Sequence, residues 1–281
     1  MKAGRTSLTA EWVAMIRAVY GASEAYAQDP VAEAILSRPL RRPTRLLRAI
    51  VARTPALLRL GSLIGIGLPE GVALRTLRLD DLVHKAVDDG ATQLLLLGAG
   101  LDVRAHRLAD LRGVTVFEVD HPDTQRVKKR RLGDRAPLAR EVRYVAVDFE
   151  KQDLGTELLA AGFSTSEKTA VVWEGVTMYL RPEARRGTLA VLGELLAPGS
   201  MVGITYIRPE IVGGLFRRLQ AKPLALIGEP LIGAIGSDEL AAELQEAGFE
   251  VYEDDAARGW ARRYTDTSGP AEWERIVVAM R

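Results

Sequence analysis

From residue 93 onward the chain alternates short runs of leucine and β-branched residues with longer stretches whose apolar positions recur every three to four residues. The short runs have the pattern of strands buried on both faces, and the longer ones that of helices with one apolar stripe. Their alternation predicts a mostly parallel sheet covered by helices. The runs place strands at 93–98, 114–119, 142–148, 169–173, 200–207, 250–253 and 275–280. Between the fourth and fifth, RPEARRGTLAVLGELLAPG predicts a crossover helix: Pro182 suits a first turn, Leu189, Leu192 and Leu196 repeat at helical spacing, and Pro198-Gly199 stops it. Ser237-Asp238-Glu239-Leu240 through Gly248 predicts a second, capped helix. The stretch of about twenty residues between the last two strands carries no strong helical pattern, so it reads as a loop, and a loop of that kind predicts an antiparallel final strand.

Ahead of this alternation, residues 1–90 carry helical patterns broken at Pro39, Pro43, Pro55 and Pro69, and read as a helical cap on the core of a single domain. Residues 208–236, rich in Gly, Pro and apolar side chains, interrupt the alternation and read as a lid insertion between the two parts of the core, 91–207 and 237–281. Phe216, Leu219, Leu224, Leu226, Leu231 and Ile232 suit a cover over a hydrophobic substrate, a homodimer contact or plain core packing, and the sequence leaves these three open.

Composition narrows the partners. The 38 basic and 37 acidic residues of the 281 nearly cancel, and like charges concentrate only at Arg38–Arg48 and Lys128–Arg131, so nucleic acid is not an expected partner and the second run reads as a solvated helix face. The absence of cysteine excludes disulfides, thiol nucleophiles and thiolate zinc sites, and His84, His106 and His121 share no metal-ligand spacing. Glu11, Arg17 and Glu24 interrupt the N-terminal apolar pattern, which therefore reads as helix and not as export signal. No run approaches the roughly 18 apolar residues of a membrane span, and a cytoplasmic location is the expectation.

The candidate chemistry begins where the first strand ends, in QLLLLGAGLDVR. Gly98 and Gly100 allow a sharp turn that a ligand can approach along the main chain, ahead of a helix N-terminus. A dinucleotide fingerprint would need a third glycine at 103, where valine stands, and the acidic Asp102 inside the turn would repel a pyrophosphate. Twenty residues past Gly100, Asp120 closes VTVFEVD, where a carboxylate can accept two hydrogen bonds from a ribose diol. A ribose without phosphate, beside tolerance for positive charge, points to S-adenosylmethionine.

The order LGAGLDVRAHRL, FEVDHP, VAVDFE and AGFSTSEKTAVVWEGVTMYLRPEA resembles the leucine carboxyl methyltransferase family in its bacterial branch, which includes polyketide and other small-molecule O-methyltransferases. TAEWVAMIRAVY, DPVAEAIL, Arg75-Thr76 and GEPLIGAIGSDELAAELQEAGFEV are similar to that family too, so the resemblance covers nearly the whole chain. It implies a class I methyltransferase sheet, Rossmann-like and seven-stranded with the last strand antiparallel, that binds S-adenosylmethionine across the carboxyl ends of its strands. By motif, Gly98 would line the methionine moiety, Asp120 the ribose, and Asp148 with the Phe149 backbone the adenine. Arg75 would pair with the cofactor carboxylate and Glu174 would lie near its amino group. Two departures, Val103 in place of the usual threonine and His106 in place of an aromatic, remove no implied contact.

The activity implied is transfer of a methyl group to an oxygen of a small-molecule acceptor, a carboxylate or a hydroxyl. Tyr179, five residues past Glu174, is the candidate for the acceptor side, with packing as its plain alternative. A carboxylate acceptor needs no base, whereas a hydroxyl does. Two other classes keep the same cofactor residues: a decarboxylase or cyclase on this scaffold, and an idle binding subunit.

Overall fold

The computed structural model describes residues 8–55, 57–58, 68–147, 152–210, 231–265 and 274–281. One sheet holds β1 Gln93–Leu97, β2 Thr115–Asp120, β3 Glu141–Ala146, β4 Thr169–Trp173, β5 Met201–Tyr206, β6 Glu250–Ala256 and β7 Arg275–Met280. Their order is β3-β2-β1-β4-β5-β7-β6, parallel throughout except for β7, which is antiparallel to both of its neighbours. Each predicted strand is present near its predicted place, and the last one is reversed as the resemblance implied.

The leucine run of β1 shows why the strands form. Side chains of a strand alternate between faces, so Leu94 and Leu96 enter one core while Leu95 and Leu97 enter the other. The first core is closed by α1 Leu8–Tyr20, α4 Leu68–Asp88 and α10 Ala257–Tyr264, through Ile16, Val72, Leu79, Leu82 and Trp260. The second is closed by α7 Leu154–Ala160, α8 Pro182–Leu195 and α9 Ser237–Glu246, through Leu158, Leu189, Leu192, Leu240 and Leu244. Full burial of each such leucine contributes about 1.5–3 kcal/mol. The remaining helices are α2 Ala32–Ile35, α3 Arg38–Arg53, α5 Arg104–Arg107 and α6 Pro122–Leu132, and Ile35 of α2 and Leu132 of α6 share a smaller apolar cluster with Ala14 of α1.

Four expectations need correction. The stretch between β6 and β7 is not all loop, because α10 lies in it; that helix is short and turns only Ala257, Trp260 and Ala261 inward, too few to mark a period. Pro43 does not break a helix but lies inside α3, where it and Pro39 are exposed, so the carbonyl it leaves without an N–H partner can meet water. Ser237 does not cap α9: Gly236 holds the N-cap position, and the Ser237 hydroxyl is 2.7 Å from the Tyr206 hydroxyl. The basic run of α6 is only partly solvated. Lys129 and Arg130 are exposed, but Lys128 is buried with its Nζ 2.7 Å from Glu118 Oε2, and Arg131 reaches Glu11 at 2.6 Å.

Most of the insertion read as a lid, including Phe216, Leu219, Leu224 and Leu226, lies outside the described residues. Where the chain is described again, the Ile232 and Gly233 N–H groups donate to the Met178 carbonyl at 3.0 and 2.9 Å, laying this segment against the turn that follows β4. Among the described residues, no helix is long and apolar enough to cross a membrane.

Candidate active site

The strand order reverses between β1 and β4, which leaves a crevice at the carboxyl ends of these two strands. Gly98 and Glu174 follow them immediately, and Asp120 ends the neighbouring β2. Gly98 has φ +66° and Gly100 φ +45°, the left-handed region that side chains disfavour. At Gly98 a Cβ would also collide with Val176 Cγ2, so a side chain is excluded twice over.

The turn is tied to β2 by its own backbone. The Ala99 N–H donates to the Val119 carbonyl at 2.9 Å, and the Gly100 N–H donates to Asp120 Oδ2 at 2.5 Å. The other oxygen of Asp120 accepts from the His121 N–H at 2.6 Å. Burial pushes the Asp120 carboxyl above its ordinary value, although both backbone donors pull it down. The Thr124 side chain also hydrogen-bonds this carboxylate, so of its four lone-pair sites one is left for a ligand donor.

Next to the turn runs a chain of buried ion pairs. Arg75 Nη1 lies 2.7 Å from Glu274 Oε2, and its Nη2 lies 2.8 Å from Glu174 Oε1. Glu174 Oε2 accepts from Arg104 Nη1 at 2.8 Å, and Arg104 also holds Asp102 and, at 2.8 Å, Asp80. Asp80 continues to Arg107 at 2.6 Å, and Asp29 stands 3.8 Å from Arg107 and 3.4 Å from Arg17. Among the described residues this chain joins four guanidiniums to five carboxylates, which leaves one surplus negative charge. Burial works to raise Glu174, but Arg75 and Arg104 outweigh it and hold the carboxyl at about 2. Burial opposes ionisation of Asp102 too, and Arg104 overcomes it. At Glu274 the balance reverses: burial raises the carboxyl above its ordinary value against the pull of Arg75.

The structure thus brings Arg75, Gly98, Gly100, Asp120 and Glu174 to one edge of the sheet. Tyr179 ends a 3-10 turn, Thr177–Tyr179, just beyond Glu174, and is half-buried. Asp148 and Phe149 lie outside the described residues. Contrary to the expectation from sequence, Asp102 is not a free acid in the turn, since it pairs with Arg104 and accepts from the Arg104 N–H at 2.7 Å. What would repel a pyrophosphate is the surplus charge of the whole chain of ion pairs. His106 is buried, and burial with Lys128 nearby lowers its pKa, while His121 accepts from the Asp123 N–H at the start of α6.

Sequence reasoning missed Arg104, Asp80, Arg107 and Glu274. For Arg75 itself the sequence held a second signal besides the family motif: it shares a helical stripe of α4 with buried Val72, Leu79, Leu82 and Ala86, so a charge stood where the period calls for an apolar residue. Glu274 had no such signal.

Whole-chain similarity agrees with this geometry. A DUF574 family protein from Streptomyces avermitilis superposes with a TM-score of 0.61 at 18% identity, over 99% of this chain and 98% of its own. A provisionally named methyltransferase from Thermobifida fusca does so at 0.60 and 16% identity, over 99% and 96%. These fix the fold as that of a class I methyltransferase. In sequence, provisionally named S-adenosyl-L-methionine-dependent methyltransferases of Frankia alni and Mycobacterium leprae are 37% and 34% identical over 59% and 71% of this chain. The aligned stretches span 59% and 64% of those relatives' own length, and 45% of a third relative from Mycolicibacterium smegmatis. The model of the family described as leucine carboxyl methyltransferase matches residues 10–193, and this chain belongs to that family.

Proposed function

We propose that the chain is an S-adenosylmethionine-dependent O-methyltransferase that acts on a small organic acceptor. The observation that carries this reading is the charge arrangement at the crevice. A surplus buried negative charge, distributed over paired arginines and carboxylates, complements a ligand that carries a sulfonium, an ammonium and one carboxylate, for a net charge of +1. Asp120, a carboxylate at the end of β2 with acceptor capacity left, complements a ribose hydroxyl.

The residues fit that ligand in detail. Arg75 would take the cofactor carboxylate and Glu174 its ammonium, each trading part of its present contact with the other. Gly175 puts no side chain beside Arg75, whose Nη2 would stand 3.9 Å from a Cβ there. Arg104 Nη2 is a buried donor with no hydrogen-bond partner among the described residues, so the site has donor capacity left for a second carboxylate oxygen. Gly98 leaves the main chain bare beside the methionine portion. By family resemblance, Asp148 and the Phe149 backbone take the adenine.

When bound, the cofactor supplies an electrophilic methyl group: the acceptor oxygen forms the new C–O bond as the electron pair of the C–S bond returns to sulfur. The protein's task is then to align the two partners and exclude water, and proximity carries much of the rate. The family's name supports a carboxylate acceptor, which is a nucleophile without a base. For a hydroxyl acceptor, Tyr179 would orient the oxygen, and Tyr179→Phe should slow turnover while leaving cofactor affinity intact.

The test is mass spectrometry of reactions that contain S-adenosylmethionine and panels of small carboxylic acids and phenols. The expected result is gain of one CH2 on an acceptor with release of S-adenosylhomocysteine. A substrate consumed without that gain would identify a decarboxylase or cyclase, and cofactor binding with no acceptor-dependent turnover would identify an idle subunit; either result overturns the proposal.

A further inference from the structure

We infer that Glu274 is a positioning residue that fixes Arg75 and supplies the charge by which the crevice prefers a cationic S-adenosyl ligand to a neutral one. The inference rests on the cofactor reading above. Glu274 stands at the head of β7, 199 residues from Arg75 in the chain, and is 1% exposed. Both of its oxygens accept from Arg75 Nη1, at 2.9 and 2.7 Å, while Arg75 Nε donates to Glu174 at 2.9 Å. One guanidinium is therefore gripped from two sides by carboxylates that stand at the same edge of the sheet, one after β4 and one before β7, with β5 between them.

The two grips have different fates when a zwitterionic ligand arrives. Glu174 is the partner of the ligand ammonium and must loosen its hold on Arg75 to serve it. Glu274 has no such role, so it keeps Arg75 in place for the ligand carboxylate. Its own surroundings, Arg75 from α4, Glu174 after β4 and the Thr205 hydroxyl of β5, include one cation already shared with a second acid. With the charge of Glu274 removed, the ion-pair chain would hold four carboxylates against four guanidiniums, so its formal surplus of one negative charge would be gone.

S-adenosylmethionine brings a net charge of +1 and neutralises that surplus, whereas S-adenosylhomocysteine, which has lost the sulfonium charge, does not. In a buried site of low effective dielectric such a difference is felt over several ångströms. Donor would thus be retained in preference to spent cofactor, a bias toward product release that involves no motion of the chain.

Calorimetry with S-adenosylmethionine and S-adenosylhomocysteine tests this on the full chain. The wild-type protein should bind the first more tightly. Glu274→Gln keeps the shape and an acceptor for Arg75 but removes the charge, and should weaken S-adenosylmethionine by about tenfold with little change for S-adenosylhomocysteine. Glu274→Asp, which keeps the charge, should keep the preference. Equal loss for both ligands would make Glu274 a structural clamp only, and no change for either would remove it from the site; each result overturns the inference. Should Glu274→Gln not fold, the wild-type protein still decides. There, S-adenosylhomocysteine bound as tightly as S-adenosylmethionine overturns the inference. Binding of neither ligand overturns the cofactor reading itself, and this inference with it.

Discussion

A carboxylate buried at the end of a strand must find donors or give up its charge. Asp120 and Glu174 meet that demand differently. Asp120 uses the main chain of the glycine turn and of His121, so its geometry is as fixed as the backbone, and it holds no cation. Glu174 uses two arginines and stays ionised. Asp120→Ala should therefore leave the fold in place, since water can reach the two freed N–H groups, and weaken S-adenosylmethionine binding by about 1–3 kcal/mol, the range for hydrogen bonds to a charged group. Unchanged affinity in calorimetry would remove Asp120 from the ribose role. The contrast also marks what single residues disclosed beforehand. Asp120 was legible because the distance from Gly100 along the chain matches the distance from a strand-end turn to the next strand end. Arg75 was a candidate only through family motifs, although it betrays itself as a charge in an apolar stripe, whereas Glu174 was also marked as an acid that directly follows the apolar run of β4 and must find a partner. Glu274 was illegible because its significance depends on an arginine 199 positions away.

At the scale of elements, strands β1, β2, β4 and β5 could be placed from sequence because both faces are buried and apolar runs result. Helix α6 was misjudged for the opposite reason: a lysine has the same letter whether it reaches water or a buried acid. Lys128 and Glu118 are 1% and 0% exposed, and they lock α6 to β2. Lys128→Met should cost about 3–5 kcal/mol in urea denaturation, because it leaves an acid buried without its cation. Lys128→Met combined with Glu118→Gln should recover most of that loss. Burial already raises Glu118 against the pull of Lys128, and without Lys128 it rises further. A carboxyl raised in the folded state binds a proton that the unfolded chain releases. The deficit of the single variant is therefore small below the ordinary carboxylate range and grows as pH rises through the raised value. A deficit independent of pH, or smaller than that of the double variant, would contradict the pairing.

At the scale of the molecule, two cores back a single sheet, and the crevice opens where its strand order reverses. The ion-pair chain at that crevice draws on α1, the loop before α2, α4, α5, the ends of β1 and β4, and the start of β7, so its charge balance bears on the stability of the whole first core. A ligand that completes the balance should stabilise the folded state. At one hundred times the dissociation constant the gain is about 2.7 kcal/mol. For a chain of this size that corresponds to a rise in Tm of about 5 °C. A control separates this linkage from general stability. Arg185, on α8, holds Glu243 of α9 in the second core with two bonds of 2.8 Å, away from the crevice. Arg185→Ala should lower the Tm of the ligand-free protein yet leave the rise on adding S-adenosylmethionine intact. Arg75→Ala should abolish the rise at the same ligand concentration. If both variants kept the rise, the ligand would have to sit elsewhere than at the reversal of the sheet; if both lost it, the two cores would be coupled as one cooperative unit and Arg75 would have no special claim on the site.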